Sequence, residues 1–107
     1  MNRQIKFRSR KATGEWAYFR LDDLIRHAPT VPSWVYEYPG LKKDEYTGLK
    51  LHGQDLYEGD IVENVVGGET YEIKKDDYHR LADVQAYPDT FIIVGNRLQN
   101  PELLKNA

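Results

Sequence analysis

The groups that could do chemistry are few and scattered. The three histidines, His27, His52 and His79, are separated by 25 and 27 residues, which is not the spacing of a compact metal-ligand motif. There is no cysteine, so neither a disulfide framework nor a thiolate metal centre can form. Ser9 and Ser33 are the only serines, and neither sits in a nucleophile elbow. No HExxH, EF-hand loop or P-loop occurs, and Gly67-Gly68 is too short to cradle a phosphate. Asp60 with His52 would make an acid–base pair if the fold brought them together. Asp76, Asp77 and His79 would hold a divalent cation, although a solvated turn accounts for them as well. The expectation is no enzyme and no cofactor.

Recognition is the second chemistry open to this chain. Arg3, Lys6, Arg8, Arg10 and Lys11 all precede the first acid, Glu15. Residues 1–50 carry ten Lys/Arg against six Asp/Glu, or +4, whereas residues 51–107 carry five against eleven, or -6. Lys6, Arg8, Arg10, Trp16, Trp34 and Tyr36 are the candidate partner-binding residues. Their cations suit phosphates or carboxylates, and their rings suit bases or proline. Large aromatics also dominate small cores, and Trp34, Tyr36 and Tyr38, spaced two apart, fit a packed extended segment better than a stacking platform. A pI near 5.9 counts against a dedicated nucleic-acid binder. The charge polarity favours self-association, with the basic strand of one copy on an acidic surface of the next, which closes into a ring or runs on as a filament, the ring being favoured.

These residues must be positioned by short elements. From Gln4 to Arg10 the chain alternates, with Ile5 and Phe7 on one face and Lys6, Arg8 and Arg10 on the other, which predicts a half-buried strand with a basic outer face. A turn at Lys11–Gly14 returns it as an aromatic-rich strand over Glu15–Arg20. Leu21, Leu24, Ile25 and Ala28 then mark one face of a short helix over 21–28, stopped by Pro29. Prolines and glycines break residues 29–48 into extended pieces. Beyond Leu49 the pattern is mainly β, with strands near 56–66, 69–75 and 90–97 and a two-residue loop at Gly67-Gly68. Residues 77–87 fit a helix or a strand equally. Thr90–Val94 is a continuous apolar run suited to a central strand. Asn100 as N-cap and Pro101 at the first position predict a last helix over 101–105.

Three separated blocks carry a resemblance. Tyr46-Thr-Gly-Leu-Lys50, Gly53 and Leu56-Tyr-Glu-Gly-Asp-Ile-Val62 form the middle one. Ile93-Val-Gly-Asn96 before Asn100-Pro-Glu-Leu-Leu104 forms the last, and Ile5-Lys-Phe-Arg8 the first. In this order they resemble the YopX family of phage and prophage proteins, which has no assigned catalytic activity. Ser9-Arg10 stand where that family usually has Ala-Trp, and residues 21–45 and 67–89 are unmatched. The motif positions Gly48, Gly59, Asp60, Gly95, Asn96 and Pro101 read as structural. Gly59 permits a sharp turn into a strand, and the Asp60 carboxylate accepts backbone N–H groups. Small barrels of the Src-homology-3 kind often begin a strand this way.

A chain of 107 residues, 40% hydrophobic and 12% aromatic, with a mean hydropathy of -0.71, suits one domain with a modest core. Residues 1–45 supply the hairpin, helix and aromatic segment, and 46–107 the barrel-like part. No apolar run reaches the roughly 20 residues of a membrane span, and the N-terminus lacks a secretory core, so a cytoplasmic location is expected, with no membrane partner. The expected fold is α+β, a small bent antiparallel sheet or barrel with short helices. The expected function is a non-enzymatic phage-type interaction or assembly module, a homo-oligomer. The alternative is a nucleic-acid-binding small β-barrel.

Overall fold

The structure, a computed structural model, describes residues 5–37, 42–74 and 76–104. The expectations that touch Arg3, Tyr38, Pro39, Gly40 and Lys105 lie outside the described residues. The chain divides into two compact units, Met1–Tyr46 and Thr47–Ala107. The fold class is the expected one, α+β with antiparallel strands and few, short helices.

In the first unit, strands β1 (Lys6–Arg10) and β2 (Trp16–Arg20) form an antiparallel hairpin, Lys6 opposite Arg20 and Arg10 opposite Trp16. Its turn is closed by Gly14 N–H donating to the Lys11 carbonyl at 2.8 Å. The other side of β1 pairs with the start of β3 (Lys43–Leu51), Arg8 opposite Asp44, so β1 is an inner strand of its four-stranded sheet. Helices α1 (Leu21–Ile25) and α2 (Trp34–Glu37) follow the hairpin. Ala17, Phe19, Val31, Trp34 and Val35 form the core, with Phe7, Leu24 and Tyr36 packed against it.

Two local readings change here. The helix expected over 21–28 ends at Ile25, and His27 takes a positive φ of 55°. Ile25 is consequently exposed, while Leu24 and Ala28 still turn inward. Residues 34–37 are helical, not extended. Val35 N–H donates to the Pro32 carbonyl, and Tyr36 and Glu37 N–H groups to that of Ser33. This coil turns adjacent Trp34 and Val35 into one core, where a strand would send them to opposite faces.

In the second unit, β3 continues past Thr47 and turns at His52-Gly53 into β4 (Gln54–Tyr57). Both turn residues have positive φ, 53° and 79°, as a type I′ hairpin requires. Strand β5 (Asp60–Asn64) is the middle of a second antiparallel sheet, ordered β6-β5-β7, with β6 at Thr70–Glu72 and β7 at Phe91–Asn96. Residues 78–86, left open by the sequence, form helix α3 (Tyr78–Ala86), whose Arg80 N–H is capped by Asp77 at 3.1 Å. Leu51, Leu56, Val62, Ile73, Val84 and Phe91 make this unit's core.

The second unit also departs from expectation. The apolar run Phe91–Val94 is an edge strand rather than a central one. Its Phe91 and Ile93 face the core, while Ile92 is 39% exposed. The central place goes to β5, whose Ile61 and Val62 are fully buried. The loop between β5 and β6 spans 65–69 and is organised by Asn64, whose side chain accepts from the N–H groups of Val66 and Gly67. An Asx turn thus replaces the two-glycine loop. The last helix is a 3-10 turn, Pro101–Leu104. Asn100 spends its side-chain oxygen on the Asn96 N–H at 3.3 Å.

Candidate partner-binding face

Alternation along β1 and β2 gives the first unit two sheet faces. Phe7, Ala17 and Phe19 lie on the core side. Lys6, Arg8, Arg10, Trp16, Tyr18 and Arg20 lie on the opposite side, brought into rows by the hairpin register. Four of the six sequence candidates thus share a face, while Trp34 and Tyr36 belong to the core side. Trp34 is buried. Tyr36 is half-buried, its hydroxyl donating to the Leu24 carbonyl at 3.0 Å and its ring stacked 4.1 Å from that of His27.

The shared face is not a uniform basic strip. Arg8 is 6% exposed, and its Nε lies 3.1 Å from Oδ2 of Asp44, itself 2% exposed. Its charge is matched within the sheet, which corrects the reading of Arg8 as part of an outer basic face. The cause is topological: β3 lies beside β1 and sets a carboxylate directly opposite the guanidinium. Lys6 is half-buried, with Nζ 4.4 Å from the Tyr46 ring centroid. Arg10 folds back against Gly14 and toward Trp16, 5.8 Å from that ring. With Arg8 at 5.1 Å, Trp16 is held by two guanidinium groups.

The open part of the face belongs to β2. Tyr18 is 60% exposed and stacks on Trp16, with centroids 6.3 Å apart and rings 22° from parallel. Arg20 follows at the next outward position and is exposed. Tyr18 and Arg20 were missed as candidates, although their signal was present. The stretch Trp16-Ala-Tyr-Phe-Arg20 alternates small or apolar Ala17 and Phe19 with larger amphipathic groups, the period-two mark of one wet face.

The motif positions hold the backbone. Gly48 has a φ of +91° within β3, next to Thr47, whose hydroxyl donates to the Leu56 carbonyl at 2.7 Å. Asp60 is buried and accepts from the Tyr57 N–H at 2.8 Å across the turn made by Gly59. The Asn96 side chain accepts from the N–H groups of Leu98 and Gln99. Gly95 lies against the Asn100 carboxamide, and Pro101 opens the final 3-10 turn.

The acidic and histidine candidates do not converge. His52 Nε2 bonds the Phe91 carbonyl at 2.8 Å, Asp77 caps α3, and Asp76 and His79 are exposed. Among the described residues no group of three or more His, Asp or Glu is placed to hold a metal ion, and no helix is long and apolar enough to cross a membrane. A hollow of about 270 Å³ in the second unit is lined by Tyr71, Glu72, Lys74, Asp77 and Arg80. The Arg80 guanidinium lies over the Tyr71 ring, Cζ 3.5 Å from its centroid. Comparison with protein-family models, curated proteins and solved structures finds no match.

Proposed function

We propose that this chain is a non-enzymatic interaction or assembly module of the YopX-like phage and prophage type, acting through the β2 face of its first unit. One observation carries the reading. On a strand whose alternate residues enter a core, Trp16, Tyr18 and Arg20 turn outward, and Tyr18 stays 60% exposed on its stacked neighbour. Aromatic rings bordered by arginine have the composition of an interface centre. The phage attribution rests on the sequence blocks at 5–8, 46–62 and 93–104, and a host-cell cytoplasmic location goes with it.

Charge supports the kind of partner. Residues 1–46 carry nine Lys/Arg against six Asp/Glu, or +3, and residues 47–107 six against eleven, or -5. The first unit therefore attracts anionic surfaces. A second copy's acidic unit is one such surface, and this head-to-tail contact would close into a ring. Light scattering at low and high salt tests the assembly form of the reading. A mass rising with concentration above 12.5 kDa, lowered by the Tyr18→Ala, Arg20→Glu double variant, is the expected result. If wild type and variant are indistinguishable here and toward every anionic partner tried, the β2 face is not an interaction surface.

A further inference from the structure

From the same face, and resting on the reading above, we infer that the β2 stripe binds single-stranded nucleic acid, stacking a base on Tyr18 with Arg20 and Arg10 toward the phosphates. The alternation of β2 sets Trp16, Tyr18 and Arg20 in one row, and the hairpin register places Arg10 beside Trp16. The row along β2 is therefore ring, ring, cation, with the second cation, Arg10, across from its first ring. Sequence-tolerant binders of single strands combine these two components, stacking rings and a cationic track.

The two rings have different parts. Trp16 already lies against the guanidinium groups of Arg8 and Arg10 and stacks on Tyr18. It is a fixed backing, half-buried. Tyr18 presents the accessible ring, supported from behind, so a base meets a surface that needs little ordering on binding. A flat ring with flanking positive charge suits an unpaired base together with its phosphate. A nucleotide uses the ring through its base and Arg20 through its phosphate, and duplex bases offer no exposed faces to the ring.

Charge complementarity favours the same ligand. Arg20 and Lys42 are exposed and Lys11 is half-buried in the +3 unit, whereas the -5 unit repels a phosphate chain. The overall charge of -2 hides this division. Arg8 contributes through its position under Trp16, not its charge, because Asp44 neutralises it.

The test is fluorescence anisotropy with labelled oligothymidylate and oligouridylate of about ten nucleotides, within the span covered by small binding domains. A duplex of equal length and light scattering of the 107-residue chain run in parallel. Wild type is expected to bind both single strands better than duplex, with affinity falling as salt rises. Tyr18→Ala should weaken binding about tenfold or more, and Tyr18→Phe should preserve it, since stacking needs the ring and not the hydroxyl. Arg20→Gln should lower the salt slope by about 0.7, while Lys74→Gln, an exposed cation of the other unit, should leave it unchanged. Thermal melts confirm that each variant folds. No binding by folded wild type at low salt overturns the inference, as does binding that Tyr18→Ala leaves intact. Loss of self-association in the Tyr18 variants without any nucleic-acid binding overturns it too, yet leaves the interaction module standing.

Discussion

Arg8 and Asp44 show how far a single side chain can be read from its neighbours in sequence. The alternation around Arg8 places it opposite Phe7 correctly, but alternation identifies a face and not what covers it. Its partner is 36 residues away and meets it because β3 aligns antiparallel to β1. A buried guanidinium left without its carboxylate is far costlier than an exposed one. Asp44→Ala should therefore lower stability by about 3–5 kcal/mol, measured by urea denaturation. A loss below about 1 kcal/mol would mean that water or another group already serves Arg8. Asp60 is the contrasting case, because its role was legible. Gly59-Asp60 reads as a turn whose carboxylate collects N–H groups, and the Tyr57 N–H lies 2.8 Å away. Asp60→Ala should cost about 1–3 kcal/mol by stranding that buried donor.

The elements were most legible where local signals agreed. Both early strands and the hairpin between them follow from alternation and turn residues, and β7 from its continuous apolar run. The middle of the chain was less so, because Pro32-Ser33 can start a helix as readily as break a strand, and only burial of Trp34 with Val35 decides. Edge or centre for β7 is a matter of pairing, which an apolar run does not encode. Two glycines separate the ways an element depends on a missing side chain. A Cβ on Gly48 meets nothing within 4 Å, but its φ is +91°. Gly48→Ala should cost about 1–2 kcal/mol through backbone conformation alone, and no change at a neighbour should rescue it. A Cβ on Gly95 would instead run into the Asn100 carboxamide, with Cγ at 2.7 Å. Gly95→Ala should cost about 1–3 kcal/mol by overpacking, and Asn100→Ala should relieve part of that cost. A double-mutant cycle in thermal melts checks the pair, and strict additivity would show that the collision is absorbed elsewhere.

At the scale of the whole molecule, two cores divide one short chain. The first unit has 46 residues and the second 61, and the smaller is near the size at which a lone core becomes marginal. Its core rests on Ala17, Phe19, Val31, Trp34 and Val35, whereas Leu51, Leu56, Val62, Ile73, Val84 and Phe91 hold the second. Stability should therefore be uneven, with the first unit opening at lower free energy than the second. Hydrogen exchange on the intact chain can resolve this, because β3 passes through both units and reports on each. Amides of β1, β2 and 43–46 should exchange faster than those of β5 and β7. Trp34→Ala, which removes a large buried ring at a cost of about 3–5 kcal/mol, should speed exchange across the first set and leave β5 and β7 near their wild-type rates. Leu56→Ala, at about 2–5 kcal/mol, should act most strongly on the second. Equal acceleration of every strand by Trp34→Ala would mean that the two cores open as one cooperative body. The β2 face proposed for binding would then open no more readily than the rest of the chain.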